Sequence, residues 1–320
     1  MGWASWAVET LAVAFIFVIG VILAIGVVLF IIDRMQTQDA IRRNYPVLGR
    51  FRYLFSALGE FFRQYFFAMD REELPFNRAQ REWVKHAAEG KSNTIAFGST
   101  RNLSIPGTPL FVNAAFPPLE DQFAKTEPLI IGTGCRTPYV AKSIINISGM
   151  SYGALSAPAI QALSQGAAKA GIWMNTGEGG VSPYHLSGGA DLVFQIGTAK
   201  YGVRNKEGGL SDEKLREVAA RPQVKMFELK LAQGAKPGKG GILPAAKVNA
   251  EIAEIRGIEE GTASISPNRH PEINSNAELL DMINHIRDVS GKPVGFKTVI
   301  SSEQWVEHLC EEILKRGEES

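Results

Sequence analysis

The first long feature along the chain is an uninterrupted apolar run. Thr10 to Ile32 spans 23 residues without a charge. A helix of that length reaches about 34 Å, enough to cross a hydrocarbon core of roughly 30 Å. A helix is also the form in which a lone segment satisfies its own backbone groups in lipid. The run exceeds a signal-peptide core of about 7–15 residues, and no Lys or Arg precedes it. Core helices of this length seldom lack a polar face, so a single membrane span is the first expectation. Arg34, Arg42, Arg43, Arg50 and Arg52 all lie beyond the run. Flanking charge of this kind places the chain after about Asp33 in the cytoplasm, with residues 1–9 outside. Trp3 and Trp6 suit the far interface.

Beyond the span, Phe51, Leu54, Phe55, Leu58, Phe61, Phe62, Tyr65 and Phe66 recur at offsets of three and four. That period predicts a helix with one apolar, mostly aromatic face. Such a face either lies on a membrane or packs against the next domain, and the second is the commoner outcome. Residues 72–128 carry prolines at 75, 106, 109, 117 and 118 and read as an irregular lead-in with short strands. Residues 33–141 thus form a juxtamembrane segment, and 142–320 a separate domain.

In that domain short apolar runs alternate with helical patterns. The runs are Ser143–Ile147, Ile172–Asn175, Met226–Leu231, Thr262–Ile265 and Val294–Val299. The helical patterns are Ala157–Ala170, Ala245–Arg256, Ala277–Val289 and Glu303–Lys315. Alternation of this kind predicts an α/β fold with a parallel sheet covered by helices. Polar, glycine-rich sequence comes after each run, which is where barrels and doubly wound sheets gather their chemistry.

Charge narrows the function classes. The chain has 34 basic and 33 acidic residues, so nothing points to nucleic acid. Two cysteines, Cys135 and Cys310, fit a reducing compartment and are too few for an iron–sulfur cluster held by this chain alone. Five scattered histidines show no ligand spacing, so no metal site is expected. No GxGxxG or P-loop occurs in a strand–turn–helix setting, and GxSxG and HExxH are absent.

Four segments carry candidate chemistry. Ser148–Ser156 (SGMSYGALS) links a strand to a helix with small residues that let a planar ligand approach backbone, although an ordinary turn explains it equally. Asn175–Gly180 (NTGEGG) sets Glu178 in a glycine-rich strand-end loop, where it binds an amine, relays a proton or is merely an exposed acid. Leu231–Gly241 (LAQGAKPGKGG) is a cationic loop suited to a dicarboxylate or phosphate, or else solvated. Lys297 interrupts an apolar strand, where an ammonium needs either a partner or a route to solvent.

In series, NTGEGG, QGAKPGKGGILPAAKV and the IAEIRG/ISPNRH pair resemble the FMN-binding domain of glutamate synthase. The likeness extends to membrane-anchored FMN-binding glutamate synthase family proteins. It runs from about Asn44 to the end. The resemblance implies a (β/α)₈ TIM-type barrel with FMN at its mouth and an oxidoreductase acting on CH–NH₂ donors. In that family 2-oxoglutarate and ammonia form 2-iminoglutarate, which is reduced to L-glutamate. Met150, Ser151, Asn175, Gln233 and Lys297 would line the flavin, with Lys297 at the N1–O2 edge. Glu178, Lys236 and Arg256 would hold the substrate, and Glu178, Lys236 and Gln233 would serve catalysis. The flavin supplies the redox chemistry, so the protein supplies orientation and charge.

Several departures from the family pattern stand out. Lys239 occupies a position often held by Glu. No glutaminase domain or 3Fe–4S cysteines are present, so ammonia is free or delivered by another subunit, and the electron donor is unspecified. The strands number one to five of eight, a partial barrel without the loops that usually hold the phosphate. Either the chain is a truncated product or fragment, in one reading a non-catalytic membrane protein of the same family, or another chain or a second copy completes the barrel. 2-Hydroxy acid oxidation and N-methylglutamate synthesis are rival flavin chemistries.

Overall fold

The computed structural model describes residues 2–94, 99, 101–124 and 127–317. The chain forms two compact units, Met1–Ala114 and Ala115–Ser320.

The first unit is helical. α1 (Trp3–Met35) runs 33 residues, starting earlier than the charge-free stretch because nothing between Trp3 and Thr10 breaks a helix. Its segment Trp6–Met35 is long and apolar enough to cross a membrane, and none of its most apolar window is buried within the protein. α2 (Ala40–Asn44) is capped by Asp39, which accepts from the Ile41 and Arg42 amides. α3 (Leu48–Phe62) continues into a π-helical turn, Arg63–Phe67. α4 (Arg78–Ala88) begins in a reciprocal Asn77–Gln80 capping box, in a stretch where the proline pattern suggests short strands. The α1–α3 corner is tied by Asp33. Its carboxylate accepts from Arg50 at 2.7 and 2.8 Å and from the Val47 amide at 3.1 Å. Val47 has φ +66°, an uncommon conformation for a β-branched residue, and this bond helps hold it.

Among the described residues of the first unit no protein packs on the aromatic stripe of α3. Its side chains are open to solvent, from Leu58 at 40% to Phe66 at 67%.

The second unit is mixed α/β. It opens with an antiparallel hairpin, β1 (Leu129–Ile131) and β2 (Tyr139–Ala141). Next comes a parallel sheet made of β3 (Trp173–Asn175), β4 (Asp191–Ile196), β5 (Val224–Lys230) and a final strand at Val294–Lys297, in that order. Ile147 adds a single parallel bridge to Met174. Between the strands run α5 (Ala157–Ala170), α6 (Pro183–Ser187) and α7 (Asp212–Ala219). A small antiparallel pair, β6 (Ile242–Leu243) and β7 (Ser264–Ile265), brackets α8 (Ala250–Arg256). α9 (Asn276–Ser290), β8 (Val294–Lys297) and α10 (Glu303–Arg316) close the chain. Ser275 and Ser302 cap α9 and α10, and Gly291 and Gly317 end them.

Sheet membership departs from the sequence pattern in three places. Asp191–Ile196 is a central strand and Asp212–Ala219 its helix, and the pattern anticipates neither. Thr262–Ile265 contributes only Ser264–Ile265, which pairs outside the parallel sheet. Ser143–Ile147 contributes only the bridge at Ile147. The predicted helix at Ala245–Arg256 starts late, because Ala245–Lys247 is a 3₁₀ turn and Asn249 caps α8.

Register divides the sheet into two unlike faces. Met174, Leu192, Phe194, Ile196, Phe227 and Leu229 belong to the main core, which the flanking helices complete. The opposite face carries Asn175, Gln195, Glu228, Lys230 and Lys297, with Gln195 beside Glu228 and Lys230 beside Lys297. The lower part of that face is covered by the hairpin, where Tyr139 and Ala141 pack on Val193 and Met226. Its upper part is polar.

Candidate active site

Two linked polar groups stand on the upper sheet face. In the first, the Asn175 amide donates to Glu228 Oε1 at 2.9 Å, and Gln195 donates to the same oxygen. Asn175 and Gln195 are each only 2% exposed. Charge-assisted bonds of this kind satisfy a carboxylate inside a sheet that burial would otherwise penalise. The Asn175 carbonyl accepts from the Met150 amide at 3.1 Å, which ties the SGMS loop to β3.

In the second group, Lys230 at the end of β5 donates to Glu178 Oε1 at 3.1 Å and to Gln233 Oε1 at 3.0 Å. Gln233 in turn donates to Glu178 Oε1. Glu178 is therefore not a loose acid in a glycine loop. The loop reaches it through Gly177, whose φ is +66° and where a Cβ would come within 2.6 Å of the Ser151 amide.

A cavity of about 120 Å³ opens beside this triad. Ser151, Glu178, Gln233, Lys236 and Arg256 line it, together with Tyr201. The structure thus brings together all three predicted substrate contacts, and Ser151 and Gln233 with them. The volume is well below the roughly 300–1,000 Å³ of sites for drug-sized ligands, so it suits a small metabolite. Lys236 is exposed, whereas Arg256 is buried. Arg256 donates to Ser264 Oγ at 2.8 Å and to the Tyr152 carbonyl at 3.3 Å, and its guanidinium lies 5.1 Å from the Tyr201 ring centre. Its Nε is buried without a hydrogen-bond partner. Burial pulls the Arg256 pKa below its ordinary value, against the opposing pull of Tyr201 and Glu178.

Met150 and Lys297 are not part of that cavity wall. The Met150 carbonyl accepts from His185 Nε2 at 2.8 Å, while His185 Nδ1 faces the Ser182 amide and hydroxyl. The amide donates to Nδ1, which places the ring proton on Nε2. Burial lowers the His185 pKa, with backbone hydrogen bonds opposing it. Lys297 is half-buried at the end of β8; its carbonyl accepts from the Leu231 amide at 3.0 Å, and its ammonium has no ionic or hydrogen-bonded partner among the described residues.

Sequence reasoning misses Glu228, Lys230, Gln195, Tyr201 and His185. The first two have a readable signal. In Met226-Phe-Glu-Leu-Lys230 charge and apolarity alternate with period two, the mark of a strand with one polar face.

The residues fit the ring portion of a flavin. A planar ring edge needs hydrogen-bonding groups together with a cation, and the upper sheet face offers the Lys297 ammonium next in register to Lys230, to which Gln233 is bonded, while the carboxamides of Asn175 and Gln195 are buried against Glu228. Among the described residues no cluster of three or more metal-ligating side chains occurs.

Comparison with known proteins gives the family. Residues 111–315 match the family model described as the conserved region in glutamate synthase. The glutamate synthase large subunit-like protein YerD of Bacillus subtilis (strain 168) is 39% identical over 97% of this chain and 67% of its own length. A glutamate synthase large subunit-like protein of Rhizobium meliloti (strain 1021) is 32% identical, over 66% of this chain and 46% of its own. The archaeal glutamate synthase [NADPH] of Methanocaldococcus jannaschii is 38% identical, over 48% of this chain and 28% of its own. The chain thus spans from about a quarter to two thirds of these relatives. The match covers both the polar sheet face and the cavity beside it, and the chain belongs to the glutamate synthase family.

Proposed function

We propose that the second unit serves a glutamate synthase-type oxidoreductase, converting 2-oxoglutarate and ammonia to L-glutamate through 2-iminoglutarate. The observation that carries this is the meeting of Glu178, Gln233, Lys236 and Arg256 at one small cavity beside the polar sheet face. Two cations, one exposed and one buried, suit a dicarboxylate. Arg256 is fixed by burial and can grip a carboxylate with two nitrogens, while Lys236 sits on an open loop. Lys230 and Gln233 orient Glu178, which would accept a hydrogen bond from the substrate nitrogen.

FMN is the cofactor in this reading. Met150, Ser151, Asn175, Gln233 and Lys297 would hold its ring, and when bound it supplies the two-electron redox chemistry. Lys297 would balance negative charge on that ring. His185 holds the Met150 carbonyl and so sets the loop that lines the ring. The parallel sheet would form part of a (β/α)₈ barrel completed by further sequence, a second copy or another chain. α1 would anchor the protein in the membrane with the second unit cytoplasmic, as the arginines beyond it favour.

The test is a titration of the full chain with FMN, read by flavin fluorescence and by the absorbance band near 450 nm. Binding that weakens at least tenfold in Lys297→Met, with 2-oxoglutarate perturbing the bound spectrum in wild type but not in Arg256→Met, supports the reading. A flavin spectrum left unchanged both by this chain and by the chain extended with the sequence that completes its barrel overturns it.

A further inference from the structure

The stripe on α3 is left unexplained by the synthase site. Its side chains span about 140° of the helix circumference and stay exposed along roughly 22 Å of helix. A contiguous exposed apolar face of this size marks an interaction surface. Three observations say what covers it.

The first is continuity. Asp33 is wholly buried in its bonds to Arg50 and the Val47 amide, so the end of α1 fixes where α3 begins. α2 packs on both α1 and α3, whereas α3 does not fold back along α1. The stripe therefore starts at the end of the apolar helix and leads away from it. The second is charge. From Asp33 to Phe67 there are six arginines and three acids. Arg52 and Arg63 lie three turns apart on one rim of the stripe, both exposed and without an ionic partner among the described residues. The third is composition. Leu48–Phe67 holds Arg50, Arg52, Glu60 and Arg63, too many charges for a second span, and its aromatics suit the boundary between headgroups and chains.

We infer that the face of α3 carrying Phe51, Leu54, Phe55, Leu58, Phe62 and Phe66 lies in the headgroup layer of a membrane containing anionic lipid. This rests on α1 being the anchor. Arg52 and Arg63 extend from the rim to phosphate, and the Asp33–Arg50 tie holds the stripe toward the lipid. The surface differs from the anchor in kind: α1 supplies insertion, and α3 supplies preference for lipid charge.

The experiment uses the full chain in vesicles of phosphatidylcholine with phosphatidylglycerol. Cys135→Ser and Cys310→Ser remove the native thiols, and single nitroxide labels are then placed at Leu58→Cys, Phe62→Cys, Glu60→Cys, Gln64→Cys and Ile22→Cys. Accessibility to oxygen and to a water-soluble nickel complex reads the depth of each label. Labels at 58 and 62 will face lipid and those at 60 and 64 water, with 22 deep in the bilayer. Pure phosphatidylcholine, or Arg52→Gln with Arg63→Gln, will lower the lipid-to-water ratio at 58 and 62 by about fivefold per charge lost. Labels at 58 and 62 shielded from both reagents, as under a covering protein surface, overturn the proposal. So does water exposure there with 22 still in lipid, which leaves the anchor intact. Water exposure at 22 refutes the anchor and this surface with it. Unsubstituted chain provides a second measurement. Photoactivatable phosphatidylglycerol will crosslink within residues 51–67, and crosslinks confined to α1 refute the surface.

Discussion

Replacing Lys230 by Met tests whether the triad at the cavity is an energetic unit. The ammonium contacts Glu178 at 3.1 Å and Gln233 at 3.0 Å, and the two charged side chains are 14% and 22% exposed. Removing one partner of a fully buried pair costs about 3–5 kcal/mol. Partial exposure and the remaining Gln233 bond reduce this to about 2–3 kcal/mol for Glu178. Relief of the in-register Lys297 returns up to about 1 kcal/mol, as like charges on facing strand positions repel. The net loss is about 2 kcal/mol, which corresponds to roughly 30-fold faster opening of the sheet. Hydrogen–deuterium exchange of β4 and β5 peptides reads this within the second unit alone. The variant Lys230→Met with Glu178→Gln will recover most of the loss, since no carboxylate is then stranded. A change under threefold, or a double variant as unstable as the single, would refute the reasoning.

Gly197→Ala places a Cβ 2.6 Å from that of Glu178 and will displace its carboxylate. It should cost about 1–3 kcal/mol and weaken 2-oxoglutarate binding, measured by calorimetry. Phe194→Ala empties a fully buried site packed on Phe227 at 5.7 Å and will cost about 3–5 kcal/mol by urea unfolding, with the loop network unchanged. Stability will also fall in mild acid. His185 and His270 both have pKa values below the ordinary 6.5, chiefly through burial. The unfolded chain then binds more protons, so their contribution is complete above about pH 6.5 and shrinks as pH falls below it. His185→Gln will flatten that slope in unfolding measured from pH 7 downward.

The fold class is legible from alternation, and the loops NTGEGG and LAQGAKPGKGG from glycine and charge. What cannot be read is partnership. Asp191–Ile196 resembles a turn-flanked fragment until its neighbours on both sides are known, and Gln195 breaks its apolar run because it serves Glu228. Thr262–Ile265 has strand composition, yet α8 and β6 claim it for a local pair. The acid at Glu178 is visible, whereas the lysine that fixes it lies 52 residues away. Only the sheet brings them together. The aromatic stripe has the opposite fate: its period reads directly as a helix, and what covers it is not written in the first unit.

The two unlike faces of the sheet have a consequence for how this protein tolerates change. Along each strand, alternate codons answer to different demands. Leu192, Phe194 and Ile196 answer to packing in the main core, while on the other face Gln195 answers to hydrogen bonding with Glu228 and Val193 to packing under the hairpin. A saturation scan of β4 and β5 should therefore show a two-residue beat. One parity will lose abundance with any polar replacement. The other will keep abundance while losing ligand at its upper positions, except where Glu228 or Lys230 is left alone with its charge, and will lose abundance at Val193 and Met226 under the hairpin. Drift on the first parity is limited by volume and on the second by chemistry, so relatives could change substrate without touching the core.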